Sequence, residues 1–338
     1  MTDLAETYYD RSMELPDELI AGVSDVHVHS GPWLKSCPGR LDPFRIATQA
    51  RDAGMRSLMF YDHTLGNSCG TAWLTGRQVP GIDIFGGIIL TTALGGLNPR
   101  AVKTALYYGS GAKFVHFGAH CTHFMASHEG SFVDGVPVPF KDRYPEFAEK
   151  ELARSIRIPL ADPIPDELAE ILRLIADHPH VHLNTGHVSA EEAIRLVDLA
   201  LEFGISKIVV AHPCRGRLTV DQQRDLAAKG VLLEGAVSDW MFHRGLPRAN
   251  YYIEREWADE IAGIANAPEY QGIVPWARQI REIGVEHFVL GTDYGIRSGP
   301  TPLEGMRLLI SSLLDLEFTA AEIHTMIKAN PEKLLDIR

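Results

Sequence analysis

Short apolar runs rich in β-branched residues recur along the chain, bounded by Gly, Asp or Pro, and most lead into a segment with helical periodicity. Continuous apolar runs of this length are the mark of strands buried on both faces. The pattern predicts strands at 23–28, 56–61, 83–90, 113–117, 180–185, 206–211, 230–235 and 286–292. Helices are expected at 42–53, 98–108, 165–177, 189–203 and 219–228, several opening on an Asp, Asn or Ser cap or an early Pro and ending before Gly. The stretch "SAEE" at 189–192 has the form of a capping box.

Eight strands alternating with helices imply an α/β fold, a (β/α)8 TIM barrel. An open doubly wound sheet is the alternative, disfavoured because the first strand ends in His-x-His and no Gly-rich phosphate loop follows it. Residues 1–338 read as one barrel domain with an N-terminal extension over 1–20. Two connections are over-long, 118–179 after strand four and 236–285 after strand seven. In a compact domain such segments carry lids or binding surfaces.

Composition narrows the function classes. With 45% apolar and 22% charged residues the chain has the make-up of a soluble globular protein. An excess of 44 acidic over 32 basic residues argues against a general nucleic-acid or anionic-membrane surface. Cys37, Cys69, Cys121 and Cys214 form no C-x-x-C pair and are read as reduced thiols of a cytoplasmic protein. The first residues lack the apolar core of a signal peptide, and no apolar run reaches membrane-spanning length.

The candidate chemistry begins at "SDVHVHSGP", residues 24–32, and His-x-His recurs in "PHVHLNTGH" at 179–187. At this histidine content chance supplies about 0.7 such pairs, so position must decide. His27 and His29 end strand one; Asp62 and His63 end strand two; His116 and His120 end or follow strand four. His182 lies in strand five and His187 just beyond it, His212 ends strand six, Glu234 strand seven and Asp293 strand eight. In a TIM barrel all strand C-termini open on one face, so these residues would converge. His27 and His29, two apart on a strand, share a face and can offer two imidazoles to one ion. Asp293 brings an oxygen able to bind a metal or accept a proton. Asp62 either binds metal or orients His63, and Glu234 either binds metal or anchors a ligand's hydrogen. So many imidazoles and carboxylates exceed the three protein ligands of a catalytic zinc, implying two ions or an octahedral centre of iron, manganese or zinc. His123 and His128 read as loop residues and His180 as surface.

The motifs "DVHVH", "VVAHP" and "GTDYG", with His187 and the "MIKANPEKLLDI" tail, resemble the metal-dependent hydrolase (amidohydrolase-like) barrel superfamily over nearly the whole chain. More narrowly, "GMRSLMFYDH", "FGGIILTTALGGLNPRAV" and "NTGHVSAEEA" resemble a branch typified by TIM-barrel non-heme diiron monooxygenases of platensimycin and platencin diterpenoid biosynthesis. The resemblance assigns His27, His29, His212 and Asp293 as ligands, with Asp293 often the base, and His63 and His187 as ligands of the branch. One departure stands out. Binuclear hydrolases of the superfamily bridge their metals with a carboxylated Lys or a Glu from strand four, where this chain reads "AKFVHFGAH".

Three functions follow. The leading one is an oxygenase in which two iron ions and O2, with an external electron donor, hydroxylate a coenzyme A-linked acyl substrate. Arg215, Arg217, Arg244 and Arg248 would hold the carrier's phosphates, with His116 and His120 lining the pocket. The alternative is a hydrolase or lactonase in which a metal-bound hydroxide attacks a carbonyl and Asp293 moves the proton. The third is a binding protein on a barrel that has lost its chemistry. A barrel of this size is compatible with a homodimer.

Overall fold

The computed structural model describes residues 15–32, 41–62, 64–128, 130–133, 136–213, 218–240, 273–295 and 300–337. Its strands are β1 (Ser24–His29), β2 (Ser57–Tyr61), β3 in two segments (Asp83–Phe85 and Ile88–Ile89), β4 (Phe114–His116), β5 (His182–Asn184), β6 (Ile208–Val210), β7 (Leu232–Ala236) and β8 (Phe288–Gly291). Every expected strand is present, with ends displaced by a residue or two; β1 and β7 each run one residue past the expected end. All neighbouring pairs run parallel.

Two sheets share these strands and meet at two joints. The first is Gly86–Gly87, inside β3. A Cβ on Gly87 would lie 2.5 Å from the Phe114 ring, and one on Gly86 would lie 2.7 Å from the Ser68 carbonyl oxygen. The ladder is bridged there by Ser68, whose Oγ donates to the Phe60 carbonyl at 2.6 Å and accepts from Gly87 N–H at 3.0 Å. The second joint brings β1 beside β8, where Asp293 N–H donates to the His27 carbonyl at 2.8 Å and His29 N–H to the Tyr294 carbonyl at 2.7 Å. This is the (β/α)8 architecture.

The helices between strands are α1 (Pro43–Asp52), α2 (Cys69–Gln78), α3 (Pro99–Tyr107), α4 (Asp166–Ala176), α5 (Ala190–Glu202), α6 (Val220–Ala228), α7 (Val274–Ile283) and α8 (Pro302–Asp315). Their starts follow local chemistry. Asp42 and Asn98 accept backbone N–H groups of the first turn, and Ser189, Thr219 and Thr301 form reciprocal capping boxes. Helices α2, α7 and α8 were not among those expected, and α7 lies in a stretch read as a long connection; α2 has the weakest local signal. Its sequence CGTAWLTGRQ has two Gly and two Thr and buries only Cys69, Ala72 and Thr75.

Two apolar layers result. Val28, Leu58, Phe60 and Leu183 pack outward against the helices. Val26, Met59, Tyr61, Ile89, Phe114, Val209 and Val289 fill the inside of the barrel. The long connection after β4 holds the helices His123–His128, Phe140–Arg143 and Pro145–Arg154 and a hairpin of Gly130–Val133 with Val136–Pro139. Among the described residues no helix is long and apolar enough to cross a membrane.

Candidate metal centre

The strand C-termini assemble the site. Pairing of β1 with β2 steps from Asp25↔Leu58 to Val28↔Phe60, so β1 carries one extra residue beside His27. Such a bulge re-aims side chains, and His27 and His29 both turn to the open end. His212 follows β6 and Asp293 follows β8, each with the left-handed backbone that non-glycine residues rarely adopt, φ 45° and 55°. That conformation costs about 1–3 kcal/mol where the surroundings enforce it.

Three imidazoles are anchored in the same sense. His27 Nδ1 pairs with Glu234 Oε1. His29 Nδ1 donates to the Tyr61 carbonyl at 3.1 Å. His212 Nδ1 lies 3.1 and 3.0 Å from the two carboxylate oxygens of Asp239. With Nδ1 held by an acceptor, Nε2 is the nitrogen left to bind a ligand. Nε2 of His29 and of His27 lie 2.8 and 3.6 Å from Asp293 Oδ1. Nε2 of His212 is buried and has no hydrogen-bond partner among the described residues. The supports are themselves held: Asn184 Nδ2 donates to Glu234 Oε2 at 2.8 Å, and Ser238 Oγ to Asp293 Oδ2 at 2.5 Å. The Tyr61 ring stacks on His27 at 3.9 Å and on Phe114 at 4.0 Å, fixing the tilt of the imidazole.

The charges interlock. Burial alone would lower the His27 pKa, but Glu234 and Asp293 on either side push it up to about 9. Burial, the largest single influence, would raise both carboxyls, but the surrounding groups together outweigh it, His27 foremost, holding Glu234 below and Asp293 well below the usual range. Without an ion, a proton on His27 therefore offsets the two anions. A divalent cation can replace that proton.

Among the described residues, two sets of three side chains bring ligand atoms within 4.8 Å of one another, His27–His29–Asp293 and His27–His212–Glu234. Imidazole nitrogen and carboxylate oxygen without thiolate suit zinc, manganese or iron. Donor chemistry, the common anchoring of Nδ1 and the unpartnered Nε2 of His212 all fit a divalent ion held by His27, His29, His212 and Asp293. Since Glu234 is engaged with His27 Nδ1, it orients that ligand, as the carboxylate–histidine pattern requires.

Other expected residues fall elsewhere. His187 is buried with its ring 4.9 Å from that of His212, 5.7 Å from that of His116 and 5.8 Å from that of His120. It is delivered by Gly186, where a Cβ would strike the Gly118 carbonyl oxygen at 2.4 Å. His116 is buried, with no hydrogen-bond partner at either nitrogen among the described residues, and burial holds its pKa well below the ordinary value. His182 is not gathered with the ligands. It opens β5, two residues short of the open end, and packs beside Phe114 with ring centres 5.9 Å apart. Asp62 accepts from the N–H groups of Thr64 and Leu65 at 2.9 and 3.1 Å, capping the turn after β2. His63, Arg215, Arg217, Arg244 and Arg248 lie outside the described residues. His123 accepts from Arg157 at 2.9 Å on the long loop, and His180 is exposed.

Sequence reasoning missed Ser238, Asp239, Asn184 and Tyr61. "AVSDW" directly after β7 and Asn184 at the end of β5 obey the same strand-end rule that found the ligands.

Residues 22–234 match the model of the family described as "Family of unknown function (DUF6282)". The chain belongs to that family. No curated protein matches. Solved structures similar to this DUF6282 member include a probable dipeptidase from Pseudomonas aeruginosa, 11% identical, covering 98% of each chain with a TM-score of 0.59. A weak promiscuous lactonase template engineered for organophosphate hydrolysis is 13% identical, over 93% of this chain and 95% of that one, with a TM-score of 0.53. An amidohydrolase from Burkholderia multivorans is 11% identical, over 94% of this chain and 100% of that one, with a TM-score of 0.51. These identities speak to the fold, which is of the amidohydrolase-like barrel kind. The DUF6282 match takes in every imidazole of the centre and ends at Glu234, before Asp239 and Asp293.

Proposed function

We propose that the protein is a metal-dependent hydrolase of a carboxylic acid derivative, a lactone, ester or amide. One observation carries this reading: three imidazoles with Nδ1 anchored converge with Asp293 at the open end of the barrel. When bound by these residues, a divalent cation supplies Lewis acidity toward a carbonyl and toward water. Asp293 keeps one oxygen against Ser238 Oγ and the other beside His29, which fixes the carboxylate to accept a proton at the mouth. His187, His116 and His120 form an imidazole wall beside His212, suited to hydrogen-bonding the polar atoms of a substrate. The dipeptidase, lactonase and amidohydrolase among its structural neighbours support hydrolysis at the level of fold.

A second reading is the diiron oxygenase acting on an acyl substrate. The observation in its favour is His116 at the end of β4, in place of a bridging carboxylate, next to further imidazoles. The experiment separates the two. Metal-stripped protein is reloaded with zinc, manganese or ferrous ion and assayed against lactones, dipeptides and aryl esters, and separately for O2 uptake with acyl-CoA thioesters. Hydrolysis that returns with zinc or manganese and is lost in His27→Ala is the expected result. Substrate-dependent O2 uptake with iron alone, and no hydrolysis, would overturn it.

A further inference from the structure

Two of the assigned ligands, His212 and Asp293, sit on different strands yet share the left-handed backbone, and both are gripped by one turn. That turn opens the helix Val237–Trp240 directly after β7. Asp239 faces His212 Nδ1 with both oxygens, and its side chain is 1% exposed. Oδ2 of Asp239 also accepts from Ala236 N–H at 3.1 Å, which fixes the carboxylate to the end of β7. Its neighbour Ser238 donates to Asp293 Oδ2 at 2.5 Å, and Ser238 N–H donates to the Thr292 carbonyl at 3.3 Å. Adjacent residues thus reach in opposite directions, to β6 and to β8.

We propose that Ser238–Asp239 is a two-armed clamp, a pair of positioning residues that sets the spacing of His212 and Asp293 around the cation. The inference rests on the metal-dependent reading of the centre. Two conditions make a clamp necessary. Each ligand follows its strand in a conformation the backbone does not favour, so neither is placed by the sheet alone. Asp239 is a buried carboxylate with both oxygens on His212 Nδ1, so it holds that ring in the orientation that leaves Nε2 for the cation. Asp239 acts through His212 by fixing its tautomer and raising its donor strength. Ser238 acts through Asp293 by occupying Oδ2, so that Oδ1 faces the imidazoles.

The test measures metal binding by the full chain, without any substrate. Zinc affinity is read by competition with a chromophoric chelator, the coordination sphere by the visible spectrum of the cobalt-loaded protein, and folding by the melting temperature of the metal-free form. Asp239→Ala should weaken zinc binding by about 10–100-fold. Asp239→Asn, whose amide oxygen still accepts from Nδ1, should recover most of that loss. Ser238→Ala should shift the cobalt spectrum and weaken zinc binding by a smaller factor. A merely structural role would lower the metal-free melting temperature and leave the affinity of the folded fraction and its spectrum unmoved. Folded Asp239→Ala that binds zinc as tightly as the parent overturns the clamp. If that variant does not fold, a Ser238→Ala protein with parental affinity and spectrum overturns it instead. A parent chain that takes up neither ion removes the metal reading, and the clamp with it.

Discussion

His182 is an imidazole sealed in the barrel with no hydrogen-bond partner at either nitrogen among the described residues. Burial takes its pKa down to about 3. A group whose folded pKa lies below its unfolded value binds more protons when unfolded, so stability falls as pH drops from about 6.5 toward 3. Asp25 acts in the opposite direction. Burial raises it to about 7, so its contribution is lost as pH rises from the unfolded carboxylate value through about 7. The informative quantity is therefore a difference. Metal-free His182→Leu should lose less melting temperature than the parent between pH 7 and pH 5, and parallel curves would refute the assignment. At this scale the sequence revealed residue types and strand positions, but not depth. It placed His182 within strand five and His187 just beyond its end, but with the strand start set two residues early it did not show how far His182 lies from the open end. Nor could it see that Glu234 is engaged with His27 Nδ1, since that depends on a contact across 207 positions.

The elements themselves were more legible. Apolar runs marked every strand, because strands enclosed on both sides need little else. Capped helices such as α5 were found at nearly their full length for a similarly local reason. What escaped were features made by neighbours, namely the β1 bulge, the break in β3 and the weakly amphipathic α2, together with α7 and α8, whose early prolines and Thr301 capping box were local signals left unread. The β3 break is testable. Phe114 is fully buried and stacked on Tyr61, so its ring has nowhere to retreat from a methyl group on Gly87. Gly87→Ala should cost about 1–3 kcal/mol by overpacking, read as a lower denaturant midpoint with an unchanged slope. Because Phe114 backs Tyr61 and Tyr61 backs His27, the variant should also weaken zinc binding. An unaltered midpoint would show that the strand shifts to accept the methyl group.

For the whole molecule, the cation would tie β1, β6 and β8 into one unit. At about a hundredfold above its dissociation constant an ion that binds only the folded state adds about 2.7 kcal/mol. In a protein of this size that corresponds to a rise of roughly 4 °C in melting temperature. Zinc should produce that rise and a chelator reverse it, with the effect lost in His29→Ala. An equal rise in that variant would mean that the ion binds elsewhere. The net charge of −12 leaves general cation attraction as the competing cause, and it would not distinguish the two proteins.

The joint between β1 and β8 has a consequence for how the protein comes into being. Asp25 accepts from Thr292 N–H at 2.9 Å and from its hydroxyl at 2.6 Å, and the His27 carbonyl accepts from Asp293 N–H. The joint at β1 therefore cannot form until β8 has been made. A nascent chain holds His27, His29 and His212 long before it holds Asp293, and a cation captured early would meet an unfinished coordination sphere. Only when β8 and Asp293 are released can the two strands meet. Tight uptake of the ion would then mark a chain that has passed Asp293, and a product terminated before it would remain without the ion.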